Sequence, residues 1–254
     1  MTAAPMSAHL DAPRTKGPWG PWMTLLFGLV VLVLYSVAQG IALVPGVLIR
    51  AAADASPQAL QEAALSGMNL AFAALLGCPV MILLCGLLVA ARRGPSLTEY
   101  LAIRPPRPGP LAAWILATAL MAVGFSTLNH WLERPPPEFV ASAYTTAGYL
   151  PLFWAAIAIC APVGEEVLFR GFLFAGLAAS RLGRGGAVVL TSVLFSLIHA
   201  GQYGWVDLTQ VGIMGGCFGL GRLRSGSLVT PIAMHVALNL IALTMYQLEY
   251  SRGL

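Results

Sequence analysis

Long apolar runs dominate this chain and most restrict what it can fold into. They lie at about residues 22–44, 67–91, 111–132, 150–178, 186–200, 207–223 and 228–248. A helix needs roughly 20 such residues to cross a ~30 Å hydrocarbon core. A transmembrane β-barrel would instead show alternation over strands of roughly 10 residues, whereas these runs are continuous. The expected fold is all-α: a polytopic transmembrane helical bundle of seven spans. An eighth is added if a short or re-entrant segment lies within 138–155. The fifth and sixth runs are short for a full crossing.

The composition agrees. Of 254 residues, 58% are hydrophobic and 9% charged, against about 25% charged in a soluble domain; mean hydropathy is +0.79. The net charge of +4 comes from scattered loop residues. No basic stripe with interleaved aromatics marks a nucleic-acid surface. The cysteines Cys78, Cys85, Cys160 and Cys217 all sit inside apolar runs without a CxxC pair. They read as small packing residues, not as disulfides or a zinc ribbon.

The basic residues report topology. With a cytoplasmic N-terminus, Arg14, Lys16, Arg92, Arg93, Arg104, Arg107, Arg181, Arg184, Arg222 and Arg224 fall inside, and Arg50, Arg134 and Arg252 outside. That bias follows the positive-inside rule and fits a bacterial cytoplasmic (inner) membrane. Seven spans then place the C-terminus outside. The first run has no small-residue cleavage site and reads as an uncleaved signal anchor. The C-terminal Ser251-Arg252-Gly253-Leu254 carries no lipidation box. Three regions follow: a cytoplasmic tail at 1–21, N-terminal transmembrane helices at 22–145, and a transmembrane core at 146–250.

That core holds three polar clusters: Glu165-Glu166-x-x-x-Arg170, Phe195-x-x-x-His199 and His235-x-x-x-Asn239. Ionisable groups at bilayer depth are costly and mark function by default. Glu166 and Arg170 are i,i+4 neighbours on one helix face and read as an internal ion pair. Glu165 points about 100° away and is left free. A carboxylate taken out of water binds a proton more readily unless a partner holds it charged, so an unpaired Glu165 suits a general base. Pro162 kinks the same helix and frees the carbonyl of Ala158. His235 and Asn239 again share a face, and Asn239 can donate to a developing oxyanion. At ~1.5 Å per residue, the three clusters fall at compatible depths.

Each feature also has a plain structural reading. The two glutamates and the arginine could form a packing device, and a histidine closing a helix is commonly an interfacial residue. Pro231 suits an ordinary helix start. Gly215-x-x-x-Gly219 permits close helix approach. One glutamate and two histidines serve either of two chemistries. Glu165, His199 and His235 could hold a zinc ion with an open fourth position. Alternatively, Glu165 activates water without metal while histidine and asparagine stabilise the oxyanion.

The three motifs in this order, each within an apolar helix, resemble the CAAX-processing and bacteriocin-processing (CPBP, or Abi) intramembrane proteases. The resemblance covers about residues 150–245 and includes Phe169-Arg170-Gly171-Phe172-Leu173; residues 1–145 match only as generic membrane helices. It implies Glu165 as the water-activating residue, Glu166 and Arg170 as its supporting pair, His199 and His235 as catalytic, Asn239 near the oxyanion and Phe195 shaping the substrate site. The family has been described both as metalloproteases and as metal-independent glutamate proteases. The expected activity is hydrolysis of peptide bonds in membrane-associated or lipidated, CAAX-like substrates within the lipid bilayer. The rival expectation is a non-proteolytic scaffold or bacteriocin self-immunity protein. A proton-coupled transporter is disfavoured by the lack of an inverted repeat and of paired broken helices.

Overall fold

In the computed structural model, which describes residues 17–251, the apolar runs are helices, and no strand occurs among the described residues. Arg14, Lys16 and most of the N-terminal tail lie outside the described residues, as does Arg252. Helix α1 (Pro21–Ala53) opens on a proline, whose missing N–H has no intrahelical partner at that position anyway. Then come α2 (Pro57–Ala64), α3 (Gly67–Ala91), α4 (Leu97–Leu101), α5 (Pro108–Trp131) and α6 (Glu138–Thr145). The core holds α7 (Leu150–Ala178), α8 (Gly183–Leu197), α9 (Trp205–Ser225) and α10 (Val229–Ser251).

Five helices, α1, α3, α5, α7 and α10, are long and apolar enough to cross a bilayer, as expected of an integral membrane protein. The other two of the seven expected spans, α8 and α9, fall short of that measure. Helix α8 has only 15 residues, and α9 carries Asp207, Arg222 and Arg224. The segment considered for an eighth crossing forms α6, whose eight residues are too few to span. Outward-facing Leu29, Val33, Leu83, Leu87, Leu116 and Leu120 give α1, α3 and α5 apolar surfaces suited to lipid.

Helix α7 is the axis of the bundle. It packs on α1 and α3 along one side and on α8, α9 and α10 along the other. Leu168, Phe169, Phe172 and Leu177 on it are fully buried. Short α4 seals one end: Ser96 and Glu99 close a reciprocal capping box, worth about 1 kcal/mol for the cap. Beside it Tyr100 stacks on Phe172 at 5.8 Å.

α7 is also irregular. Two wide π-helical turns, Ala155–Cys160 and Val167–Leu173, flank the segment Ala161–Glu166. Pro162 supplies a cause for the first, because it cannot donate an N–H and its ring clashes with the carbonyl four residues back. Such bulges are frequent at functional sites.

Candidate active site

The two adjacent carboxylates separate as the helical spacing predicts. Glu166 and Arg170 pair at 3.1 Å with neither side chain exposed, whereas the Glu165 side chain keeps 15% exposure. A buried ion pair is held best when its remaining groups are satisfied; here Glu166 Oε2 and Arg170 Nε have no hydrogen-bond partner among the described residues, and the other groups are engaged. Arg170 Nη2 donates to the Gly215 carbonyl of α9 at 2.8 Å. Its guanidinium lies over the Phe195 ring at 4.6 Å, with Phe169 and Phe218 at 5.9 and 5.7 Å. Three rings thus enclose a cation that has no water contact. A side chain at Gly215 would meet Arg170 Nη2 at 3.0 Å and the Phe195 ring at 3.3 Å. One turn on, a side chain at Gly219 would meet Val188 of α8 at 2.9 Å. The paired glycines therefore serve close packing, and Gly215 lets the Arg170 box close.

His235 joins the motifs of α7 and α10. Its Nδ1 lies 2.9 Å from Glu166 Oε1, and its Nε2 lies 3.9 Å from Glu165 Oε2. Since Arg170 holds Glu166 as an acceptor, the Nδ1 proton points to Glu166. In the neutral ring Nε2 then presents its lone pair on the side of Glu165. The ring is fixed on both faces, stacked on Phe218 at 4.9 Å and met edge-on by Phe195 at 5.7 Å.

His199 lies just past the end of α8. Its Nδ1 is 2.8 Å from the Phe195 carbonyl, which can only accept, so Nδ1 carries the proton and Nε2 is free. Phe195 touches His199 at 4.9 Å as well as His235. At 3% exposure it lies between the two imidazoles.

Asn239 is engaged differently from the expectation. Its Nδ2 donates to the Ile157 carbonyl at 2.9 Å. In the wide turn, Ala161 N–H reaches back five residues to Ala156 O. In that register Pro162 would have served Ile157 O, and it has no N–H to give. Asn239 supplies the missing donor from α10. The carbonyl served is thus Ile157, not Ala158, because the turn is π and not α.

Sequence reasoning missed two residues. Arg222, counted among the loop charges, is buried inside α9; its Nε donates to the Arg170 carbonyl at 3.0 Å and its guanidinium lies over Phe174 at 5.1 Å. Tyr203, in the loop between α8 and α9, stacks on His199 at 6.0 Å. Burial, and secondarily Glu165 and Asp207, push its phenol up to about 12. No motif announces either residue. The four cysteines are free, and three are buried, as expected of packing residues.

For zinc, the set Glu165, His199 and His235 does not fit as placed. Among the described residues no three His, Cys, Asp or Glu side chains are grouped to hold a metal ion.

Residues 147–241 match the family described as type II CAAX prenyl endopeptidase Rce1-like. This segment contains all three motifs. The chain is also similar to an Escherichia coli protein described as an uncharacterized 24.3 kDa protein. The two are 29% identical over 132 residues, 48% of this chain and 58% of the relative. The chain therefore spans less than two thirds of that relative's length. No solved structure matches.

Proposed function

We propose that this chain, whose residues 147–241 match the family described as type II CAAX prenyl endopeptidase Rce1-like, is a CPBP-type intramembrane endopeptidase in which Glu165 activates water. Its substrates are peptides held at or in the membrane, CAAX-like and lipidated as in the matched family. Its setting is a bacterial inner membrane, with the N-terminus cytoplasmic.

One observation carries this reading. Of the two carboxylates, Glu166 is committed to Arg170 and His235, while Glu165 faces His235 Nε2 across 3.9 Å. That gap is too long for a direct hydrogen bond and suits a bridging water. Such a water donates one proton toward Glu165 and the other toward the Nε2 lone pair. Its own lone pair is left for a peptide carbonyl. As the water oxygen bonds the carbonyl carbon, Glu165 takes the proton and the carbonyl π pair moves to oxygen. Collapse re-forms the carbonyl and expels the amine, which receives the proton from Glu165. Glu166 and Arg170 hold His235 in the required tautomer and stay out of the proton path. His199 lines the same centre through Phe195.

The test uses purified protein in phospholipid vesicles and a fluorogenic farnesylated CAAX-type peptide, beside its unlipidated form. Wild type should cleave the lipidated peptide, and Glu165→Gln should not. Equal cleavage by both would remove Glu165 from the reaction. A Glu165→Gln protein that complements a deletion would favour the scaffold or immunity role.

A further inference from the structure

Most hydrogen-bond donors of the centre are spent within the protein, and one that is not, Arg170 Nε–H, is buried with its guanidinium among Phe169, Phe195 and Phe218. Arg170 gives Nη1–H to Glu166 and Nη2–H to Gly215. His235 Nδ1 faces Glu166, and His199 Nδ1 faces the Phe195 carbonyl. Asn239 spends one N–H on Ile157. In neutral histidines the remaining Nε2 atoms carry lone pairs and cannot donate. Peptide hydrolysis through a tetrahedral intermediate nevertheless needs a donor aimed at the carbonyl oxygen, and such donors supply a large share of catalysis.

Tyr203 lies against the His199 end of the centre. Its ring stacks on the His199 imidazole, with centroids 6.0 Å apart and planes at 28°. The opposite constraint comes from α6, where Phe139 meets it edge-on at 6.2 Å. The backbone repeats the link, because Tyr203 N–H donates to the His199 carbonyl at 3.3 Å. Glu165 and Asp207 both act on the phenol electrostatically, and among the described residues no hydrogen bond holds its hydroxyl. Asp207 is itself occupied by Arg134, through contacts of 2.8 and 3.1 Å. That clamp fixes the start of α9 and with it the loop that carries Tyr203. The outcome is a braced ring, stacked on His199, whose O–H has no hydrogen-bond partner among the described residues.

We propose that Tyr203 is a further catalytic residue whose phenol O–H donates a hydrogen bond to the scissile carbonyl oxygen as negative charge develops there. The phenol keeps its proton throughout: the π pair moves onto the oxygen during attack and returns on collapse. This inference rests on the protease reading above.

The test follows new protein termini in membranes from cells carrying wild type, Glu165→Gln, Tyr203→Phe or Tyr203→Leu at matched levels. Termini that depend on Glu165 define the activity, so no substrate need be known beforehand. Tyr203→Phe keeps the stack and the fold but lacks the donor. It should slow the appearance of those termini by about 100-fold or more with an unchanged Tm. Tyr203→Leu, which also loses the stack, should be at least as slow. Wild-type rates for Tyr203→Phe with Glu165→Gln inactive would overturn the role of Tyr203 alone. Profiles that are the same for all four proteins would overturn the protease reading and this inference with it.

Discussion

Two neighbouring glutamates divide the work at the residue scale. Glu166 holds structure and Glu165 is left to react, and the difference is burial and partnership. Glu166→Gln removes the counter-charge of a wholly buried Arg170. Leaving a buried charge unpaired typically costs about 3–5 kcal/mol, so its Tm should fall well below that of wild type in the same detergent. Glu165→Gln changes a partly exposed group outside that network, so its Tm should stay within a few degrees while cleavage is lost. Equal melting losses in the two variants would contradict the division. The i,i+4 spacing made the Glu166–Arg170 pair legible, because one helix fixes both ends. The bridging by His235 was not legible, since it spans 69 positions and depends on how α10 lies against α7. Arg222 was misread for a related reason: beside Arg224 and Ser225 it looks like a loop charge, and only the packed helix shows its buried carbonyl partner.

At the element scale, the wide turn before the glutamates is matched by a side chain from another helix. Asn239→Ala leaves the Ile157 carbonyl without its donor, an expected loss of about 1–3 kcal/mol. Pro162→Ala restores a backbone N–H that can serve the same carbonyl. The two changes should therefore couple: Asn239→Ala should cost less in the Pro162→Ala background, with an interaction energy above about 0.5 kcal/mol in a double-mutant cycle. Strict additivity would show that the asparagine does not stand in for the proline's missing donor. The kink was readable from Pro162 alone. Its register was not, because a single proline does not say whether the turn tightens or widens. The glycines of α9 give a further contrast. Gly215→Ala would press on Arg170 and Phe195 and should impair cleavage. Gly219→Ala would press only on the Val188 side chain and should cost stability, about 1–3 kcal/mol, with less effect per folded molecule. Comparing specific activity with Tm for the two variants checks this.

For the whole molecule, the apolar runs read readily as a helical bundle, and most helix ends lie within three residues of the expected ones; α1 instead runs on to Ala53, past the expected end near 44. The number of crossings was harder to read, because α8 is short and α9 mixes Gly with charge. Both owe their place to packing on α7 and on each other, which hydropathy along one chain does not reveal. The distribution of basic residues still predicts an odd number of crossings, with the N-terminus cytoplasmic and residue 251 on the opposite side. Reporter fusions near residues 17 and 251 should report opposite compartments. The same compartment for both would require an even count, as when only one of α8 and α9 crosses.

The central claim is that Glu165, at a site buried among helices, drives peptide hydrolysis in the membrane. Its most direct test is a quantitative comparison of new protein termini in membranes from cells carrying wild type or Glu165→Gln at matched amounts of folded protein. The account predicts a set of termini present with wild type and absent with Glu165→Gln, together with accumulation of the uncleaved parent proteins. Identical profiles, with the variant still supporting every phenotype of the wild type, would contradict it.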